Sequence, residues 1–138
     1  MTSTGCRIDR RHVDTSALLA ILLREPEPLD FRAAILRADV ARFSTASYVE
    51  AHVVVVRRRT DLVDELDVLE VQLSLMIEPL TAEHVRAARD GFLRFGQTRH
   101  RARLNFSDSF AYALATVFGE ALLFKGADFA QTDVRAAL

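Results

Sequence analysis

Short apolar segments alternate with longer helical patterns along this chain, and three of them run straight into helix-start signals. Arg11–Val13 meets Asp14-Thr15-Ser16 and then the Leu/Ala-rich run Ala17–Leu23; an Asp/Thr/Ser cluster before such a run marks a helix N-terminus. Val40–Ser44 leads into Thr45–Arg58, and Leu75–Pro79 leads into Thr81–Phe95, with Thr81 as cap and Gly96 as stop. Ala121–Phe124, just after Gly119, reads as a fourth, buried strand. Three more helices fill the intervals. One covers about 29–38, opened by Pro26 and Pro28. Another is Asp61–Leu73, with Leu62, Leu66, Leu69 and Leu73 as its stripe, and the third is Ser107–Phe118 after Asn105. Thr45–Arg58 is ambiguous, because the β-branched run Val53–Val56 favours a strand. Its length and the spacing of Ala46, Val49, Val53 and Val56 favour a helix, the reading adopted here. Strands alternating with helices predict an α/β fold with a mainly parallel central sheet flanked by helices.

With 138 residues the chain is sized for one domain, and half of its residues are hydrophobic. Such a domain buries roughly two-thirds of its unfolded surface and needs no disulfide or structural metal. The single cysteine, Cys6, excludes a disulfide framework and a cysteine-built zinc site. The longest apolar runs, Ala17–Leu23 and Val53–Val56, fall well short of the 18 or so residues that span a bilayer. The N-terminal stretch lacks a signal-peptide pattern, so a cytoplasmic location and no membrane partner are expected. Residues 1–10 are set aside as an extension without assigned function, and 11–138 form the domain. A net charge of −1 argues against a wholly basic nucleic-acid-coating protein but leaves room for a local patch. Gln97–Leu104, with Arg99, His100, Arg101 and Arg103, is such a patch.

In parallel α/β sheets, ligands gather at the carboxyl ends of the strands. Asp14 directly follows the first strand, Glu50 lies just inside the helix after the second, Asp108 opens a later helix, and Asp128 follows the last strand. One cleft can collect all four. Each also has a plainer role. Asp14 can start a helix, Glu50 can close a capping box with Ser47, Asp108 can close one with Asn105, and Asp128 can stabilise a turn.

The segments Val13-Asp14-Thr15-Ser16-Ala17-Leu18, Ser47-Tyr48-Val49-Glu50, Asn105-Phe106-Ser107-Asp108 through Ala115, and Leu123-Phe124-Lys125-Gly126-Ala127-Asp128-Phe129 occur in this order. The pattern resembles the PIN-domain ribonucleases, specifically the VapC toxins of VapBC toxin–antitoxin pairs, over residues 13–134. The resemblance implies a metal-dependent endoribonuclease that cleaves structured RNA, such as tRNA or ribosomal RNA, through metal-activated water. Its acidic cluster falls on Asp14, Glu50, Asp108 and Asp128, serving as catalytic and metal-binding residues. Gly126 stands where many relatives carry a further Asp, so Asp133 is the alternative to Asp128 as the fourth acid. The resemblance also implies a cognate VapB-like antitoxin, a homodimer, and operator DNA bound only through the antitoxin.

Carboxylates about 4 Å apart repel by roughly 4 kcal/mol at an effective dielectric of 20, so such a cluster calls for cations or protons. An all-oxygen donor set selects Mg2+, or Mn2+, over zinc; whether one or two ions bind is left open. Arg99, Arg101, Arg103 and Lys125 are candidate contacts to RNA phosphates. Two rival readings stand beside this one: a non-catalytic module that binds metal or a protein partner, and a PIN-like nuclease that acts on DNA. The 2′-hydroxyl distinguishes the two nucleic acids, and no residue announces that contact.

Overall fold

The computed structural model of the chain describes residues 7–26 and 30–138. Cys6, most of the 1–10 extension, and Pro28 and Leu29 at the expected opening of the second helix lie outside the described residues. Strand β1 (Arg10–Val13) is followed by α1 (Thr15–Leu22) and α2 (Phe31–Arg37), and β2 (Val40–Ser44) by α3 (Thr45–Arg58). A 3-10 turn at Thr60–Leu62 then starts α4 (Val63–Gln72). Strand β3 (Leu75–Glu78) precedes α5 (Ala82–Phe95) and α6 (Phe106–Phe118), and β4 (Ala121–Leu123) ends the sheet. The strands pair in the order β3-β2-β1-β4, and every pair is parallel. The chain steps outward from β1 to β2 and β3, then returns to place β4 on the other side of β1. That reversal puts the crevice of an open α/β sheet between β1 and β4.

Side chains alternate across the sheet with the strand period of two. Val13, Ala41, Phe43 and Leu123 join Leu18, Ile35, Leu66 and Leu69 in a core beneath α1 to α4. Leu122 belongs to a second core with Phe95, Leu104, Ala111 and Tyr112 beneath α5 and α6. These two helices approach closely at Gly91, where an added Cβ would lie 2.5 Å from the Tyr112 ring. Gly119 ends α6 in the left-handed conformation (φ +67), which a residue without Cβ adopts at no steric cost. Gly96 also ends its helix, but in extended backbone (φ −70).

His12 and Arg42 converge on Glu120, both at 2.9 Å. Arg42 also pairs with Glu78 and stacks over the Phe118 ring. Burial lowers the His12 pKa to about 4 in spite of Glu120, so its imidazole is neutral.

Helix α3 forms over Val53–Val56 as the longer pattern predicts, but it buries a different face. Its buried residues are Ser47, Ala51 and Val55, whereas Val49, Val53 and Val56 are 58%, 42% and 53% exposed. Small side chains at Ser47 and Ala51 let the helix approach its neighbours closely on the face that also buries Val55, which leaves Val49, Val53 and Val56 outside. Neighbouring α1 shows this contact directly: Thr15 Oγ1 donates to the Ser47 carbonyl at 3.4 Å.

Candidate active site

Asp14 is positioned by the sheet. Its N–H donates to the Leu123 carbonyl (2.9 Å), extending the β1–β4 pairing by one residue. Its carboxylate caps α1, with Oδ2 accepting from the Ser16 N–H (3.0 Å) and from Ser16 Oγ (2.6 Å). Ser16 Oγ in turn accepts from the backbone N–H of Lys125 at 3.0 Å. The chain leaving β4 is thereby tied to the chain leaving β1 at the crevice. Asp14 is only 4% exposed. Burial, with the Glu50 charge adding to it, raises its pKa to about 6 against the opposing Ser16 bonds.

Asp108 enters the same crevice from α6. It closes a reciprocal capping box: its N–H donates to Asn105 Oδ1 (2.8 Å), and its Oδ2 accepts from the Asn105 N–H (3.0 Å). Burial raises its pKa to about 7, and the negative charges of Asp14, Glu50 and Asp128 push it the same way. All four carboxylates singled out by position along the chain are thus electrostatic neighbours of one another through Asp108. The helix-start roles of Asp14 and Asp108 are present as well, and each acid combines both.

Glu50 differs from the capping-box reading. The cap of α3 is Ser44, whose Oγ accepts from the Ser47 N–H at 2.9 Å, so Ser47 sits inside the helix and makes no box with Glu50. Glu50 instead accepts a hydrogen bond from Ser107 Oγ, which lies 3.1 Å from Asn105 Oδ1. Ser107 is a site residue the sequence reading did not single out. Its adjacency to Asp108 was visible, but its contact with Glu50 depends on α3 meeting α6.

Asp128 is exposed beside the cluster. Asp133 is occupied elsewhere, accepting from the Tyr112 hydroxyl (2.7 Å) and pairing with Arg94 (3.2 Å). Lys125 pairs with Glu25 at 3.0 Å. In the basic loop, Arg99 Nε donates back to the Leu93 carbonyl at the end of α5 (2.8 Å). His100 accepts from the Ala102 N–H (3.0 Å) and lies edge-on to Phe95. The side chains of Arg101 and Arg103 are exposed and have no partner among the described residues.

The PIN domain family profile matches residues 12–135, nearly the whole chain. This chain belongs to the PIN-domain family. Ribonuclease VapC of Mycolicibacterium smegmatis is 43% identical to it over 125 residues, covering 90% of this chain and 97% of that protein. Ribonuclease VapC28 of Mycobacterium tuberculosis is 41% identical over 128 residues, covering 91% and 96%. The PIN domain also shares its fold with two solved structures. One is Mycobacterium tuberculosis VapC20, described as a sarcin-ricin loop cleaving toxin (TM-score 0.67, 17% identity, covering 90% of this chain and 95% of that one). The other is VapBC2 of Rickettsia felis bound to a promoter DNA fragment (TM-score 0.69, 12% identity, covering 92% and 96%).

Proposed function

We propose that this PIN domain is a VapC-type endoribonuclease toxin that cuts structured RNA with Mg2+ or Mn2+ and is silenced by a VapB-like antitoxin. The observation that carries the reading is that the negative charges of Asp14, Glu50 and Asp128 all act on the Asp108 carboxyl. The VapC ribonucleases of Mycolicibacterium smegmatis and Mycobacterium tuberculosis support the choice of RNA.

The donor set fits a hard divalent ion. It is built from carboxylates without imidazole or thiol, and burial and like-charged neighbours raise the pKa values of Asp14 and Asp108. Asp14, Glu50 and Asp108 would hold the ion, with Asp128 at the open rim. When bound, the ion supplies positive charge at the scissile phosphate and makes the attacking water more acidic.

The chain's own residues supply the rest. Ser16 orients Asp14, Ser107 orients Glu50, and Asn105 holds one oxygen of Asp108, leaving its other oxygen for the cluster. Arg101 and Arg103 supply free guanidinium groups for RNA phosphates on the loop that leads into Asp108. Two exposed apolar surfaces serve the two protein partners this reading requires, an antitoxin and a second copy. One is the Val49, Val53 and Val56 stripe of α3, and the other is the groove lined by Val85, Phe92, Phe106 and Phe110.

The decisive experiment incubates antitoxin-free protein with total RNA and with single-stranded DNA, in Mg2+, Mn2+ or EDTA, and maps the ends by sequencing. Discrete RNA cuts that vanish in EDTA are expected. Cleavage of DNA alone moves the substrate to DNA, and no cleavage of either leaves a binding module.

A further inference from the structure

A second group of metal-ligating side chains converges away from the carboxylate cluster. His52 follows Glu50 by two residues on α3, about 200° further round the helix. Glu50 accordingly faces α6, where Ser107 meets it, and His52 faces α4. On α4, Asp67 and Glu70 stand three residues apart and so share one face. His52 Nε2 lies 2.8 Å from Asp67 Oδ1 and 3.6 Å from Glu70 Oε1. Its other nitrogen, Nδ1, is 2.7 Å from the Tyr48 carbonyl one turn earlier, which holds a proton there and aims Nε2 at α4.

Two features mark this as more than an ion pair. Glu70 is 7% exposed, and its Oε2 has no hydrogen-bond partner, an arrangement that costs free energy unless something occupies it. A proton on Nε2 serves Asp67 but cannot also serve Glu70 across 3.6 Å. A metal ion in place of that proton serves both. The ligand atoms of the three residues already lie within 4.8 Å of one another. Donors around a four-coordinate ion with bonds of about 2.0–2.1 Å sit roughly 3.3 Å apart, a value bracketed by the two distances from Nε2. One imidazole and two carboxylates suit zinc better than magnesium, which prefers oxygen alone.

We propose that His52, Asp67 and Glu70 form a Zn2+ site that clamps α3 to α4, separate from the carboxylate cluster. Three protein ligands leave one position for water, and the backbone carbonyl of Tyr48 orients the imidazole. The clamp braces the helix that carries Glu50.

The test is a Zn2+ titration by calorimetry in excess Mg2+, on the otherwise intact Asp14→Asn/Asp108→Asn protein, so that the carboxylate cluster does not compete. One equivalent is expected, and adding Asp67→Asn or Glu70→Gln should weaken it at least tenfold. Asp67 is largely exposed, so its replacement leaves the fold intact even if a Glu70 variant does not fold. Co2+ should give visible absorption that disappears in His52→Gln. No zinc uptake by the Asp14→Asn/Asp108→Asn protein overturns the site, as does uptake undiminished by Asp67→Asn. Cleavage of RNA plays no part in this readout, so failure of the nuclease reading and failure of the zinc site remain distinguishable.

Discussion

Ser107 donates its hydroxyl to Glu50 across 57 residues of chain and thereby joins the first turn of α6 to the second turn of α3. The bond matters because Glu50 sits on a helix that packs against α1, α6 and β2, while Asp108 follows Ser107 directly. It fixes the carboxylate of one helix relative to that of the other. Partners that orient a metal ligand typically contribute 10–100-fold to metal affinity or activity. Ser107→Ala is expected to move the Mg2+ dependence of RNA cleavage about tenfold higher, while thermal stability changes little. Ser107→Thr, which keeps a hydroxyl, should restore most of the loss. A Mg2+ curve unmoved in Ser107→Ala makes this hydrogen bond structural only.

Asp14→Asn and Asp108→Asn are each expected to abolish cleavage without lowering the melting temperature in EDTA. Both remove a charge from a site where burial and like-charged neighbours already resist ionisation. Melting well below the parent in EDTA would make the altered residue structural and weaken the nuclease reading.

The same charges set a pH dependence with a definite sign. The Asp108 carboxyl titrates near 7 in the fold against 3.8 in a free chain. Between these values the native state keeps a proton that the unfolded chain has lost, so its contribution falls as pH rises through the window. Asn lacks this loss. In EDTA, Asp108→Asn should therefore gain on the parent between pH 5 and 8, by about 2 kcal/mol once the full shift is discounted for partial solvent screening. His12 acts oppositely. Its value of about 4 lies below the free value of 6.5, so its contribution falls as pH drops through that interval. Because both proteins carry His12, it cancels in the comparison. Parallel stability curves from pH 5 to 8 contradict the raised Asp108 value.

Removing metal should act through the same cluster. Saturating Mg2+ at 100 times its dissociation constant adds about 2.7 kcal/mol if it binds only the native state. Thermal melts of zinc-free protein in Mg2+ and in EDTA should differ for the parent and coincide for Asp14→Asn/Asp108→Asn. Equal shifts in both proteins place Mg2+ somewhere other than the cluster.

The sheet and its helices were legible because their signals are local. Capping residues such as Asp14, Thr81 and Asn105 act within one turn, and the structure uses each as a cap. The strand-like run Val53–Val56 yielded to the longer helical pattern around it. The failures share one cause, which is packing between elements distant in sequence. The buried face of α3 runs through Ser47, Ala51 and Val55 rather than Val49, Val53 and Val56, because close approach of its first turns to neighbouring elements favours small residues. The pairing of Arg42 on β2 with Glu78 at the end of β3 and Glu120 just before β4 could not be read from any one segment. His52 gave no sequence signal either, since its partners stand fifteen and eighteen residues away on another helix. Asp133 is the sequence's alternative to Asp128, and its contacts with Tyr112 and Arg94 depend on α5 and α6 meeting the C-terminal segment.

The basic loop divides into two roles that sequence alone treats alike. Arg99 is committed to the Leu93 carbonyl and so braces the turn after α5. Arg101 and Arg103 project without protein partners among the described residues, and the loop then runs through Leu104 to the Asn105–Asp108 capping box. A chain of net charge −1 needs such a concentrated positive patch to hold RNA beside a cluster of acids. Arg101→Ala/Arg103→Ala should weaken RNA binding and lower the salt slope of log affinity by about 1.5, since each lost phosphate contact removes roughly 0.7–0.9. Single-turnover cleavage at saturating RNA should fall far less. Arg99→Ala should instead lower thermal stability while leaving the salt slope near that of the parent. If Arg101→Ala/Arg103→Ala leaves the slope unchanged, the loop does not touch RNA and its free arginines belong to a protein interface. A collapse of the saturated rate at unchanged affinity puts them in the transition state, where guanidinium groups stabilise charge as it develops on the phosphate.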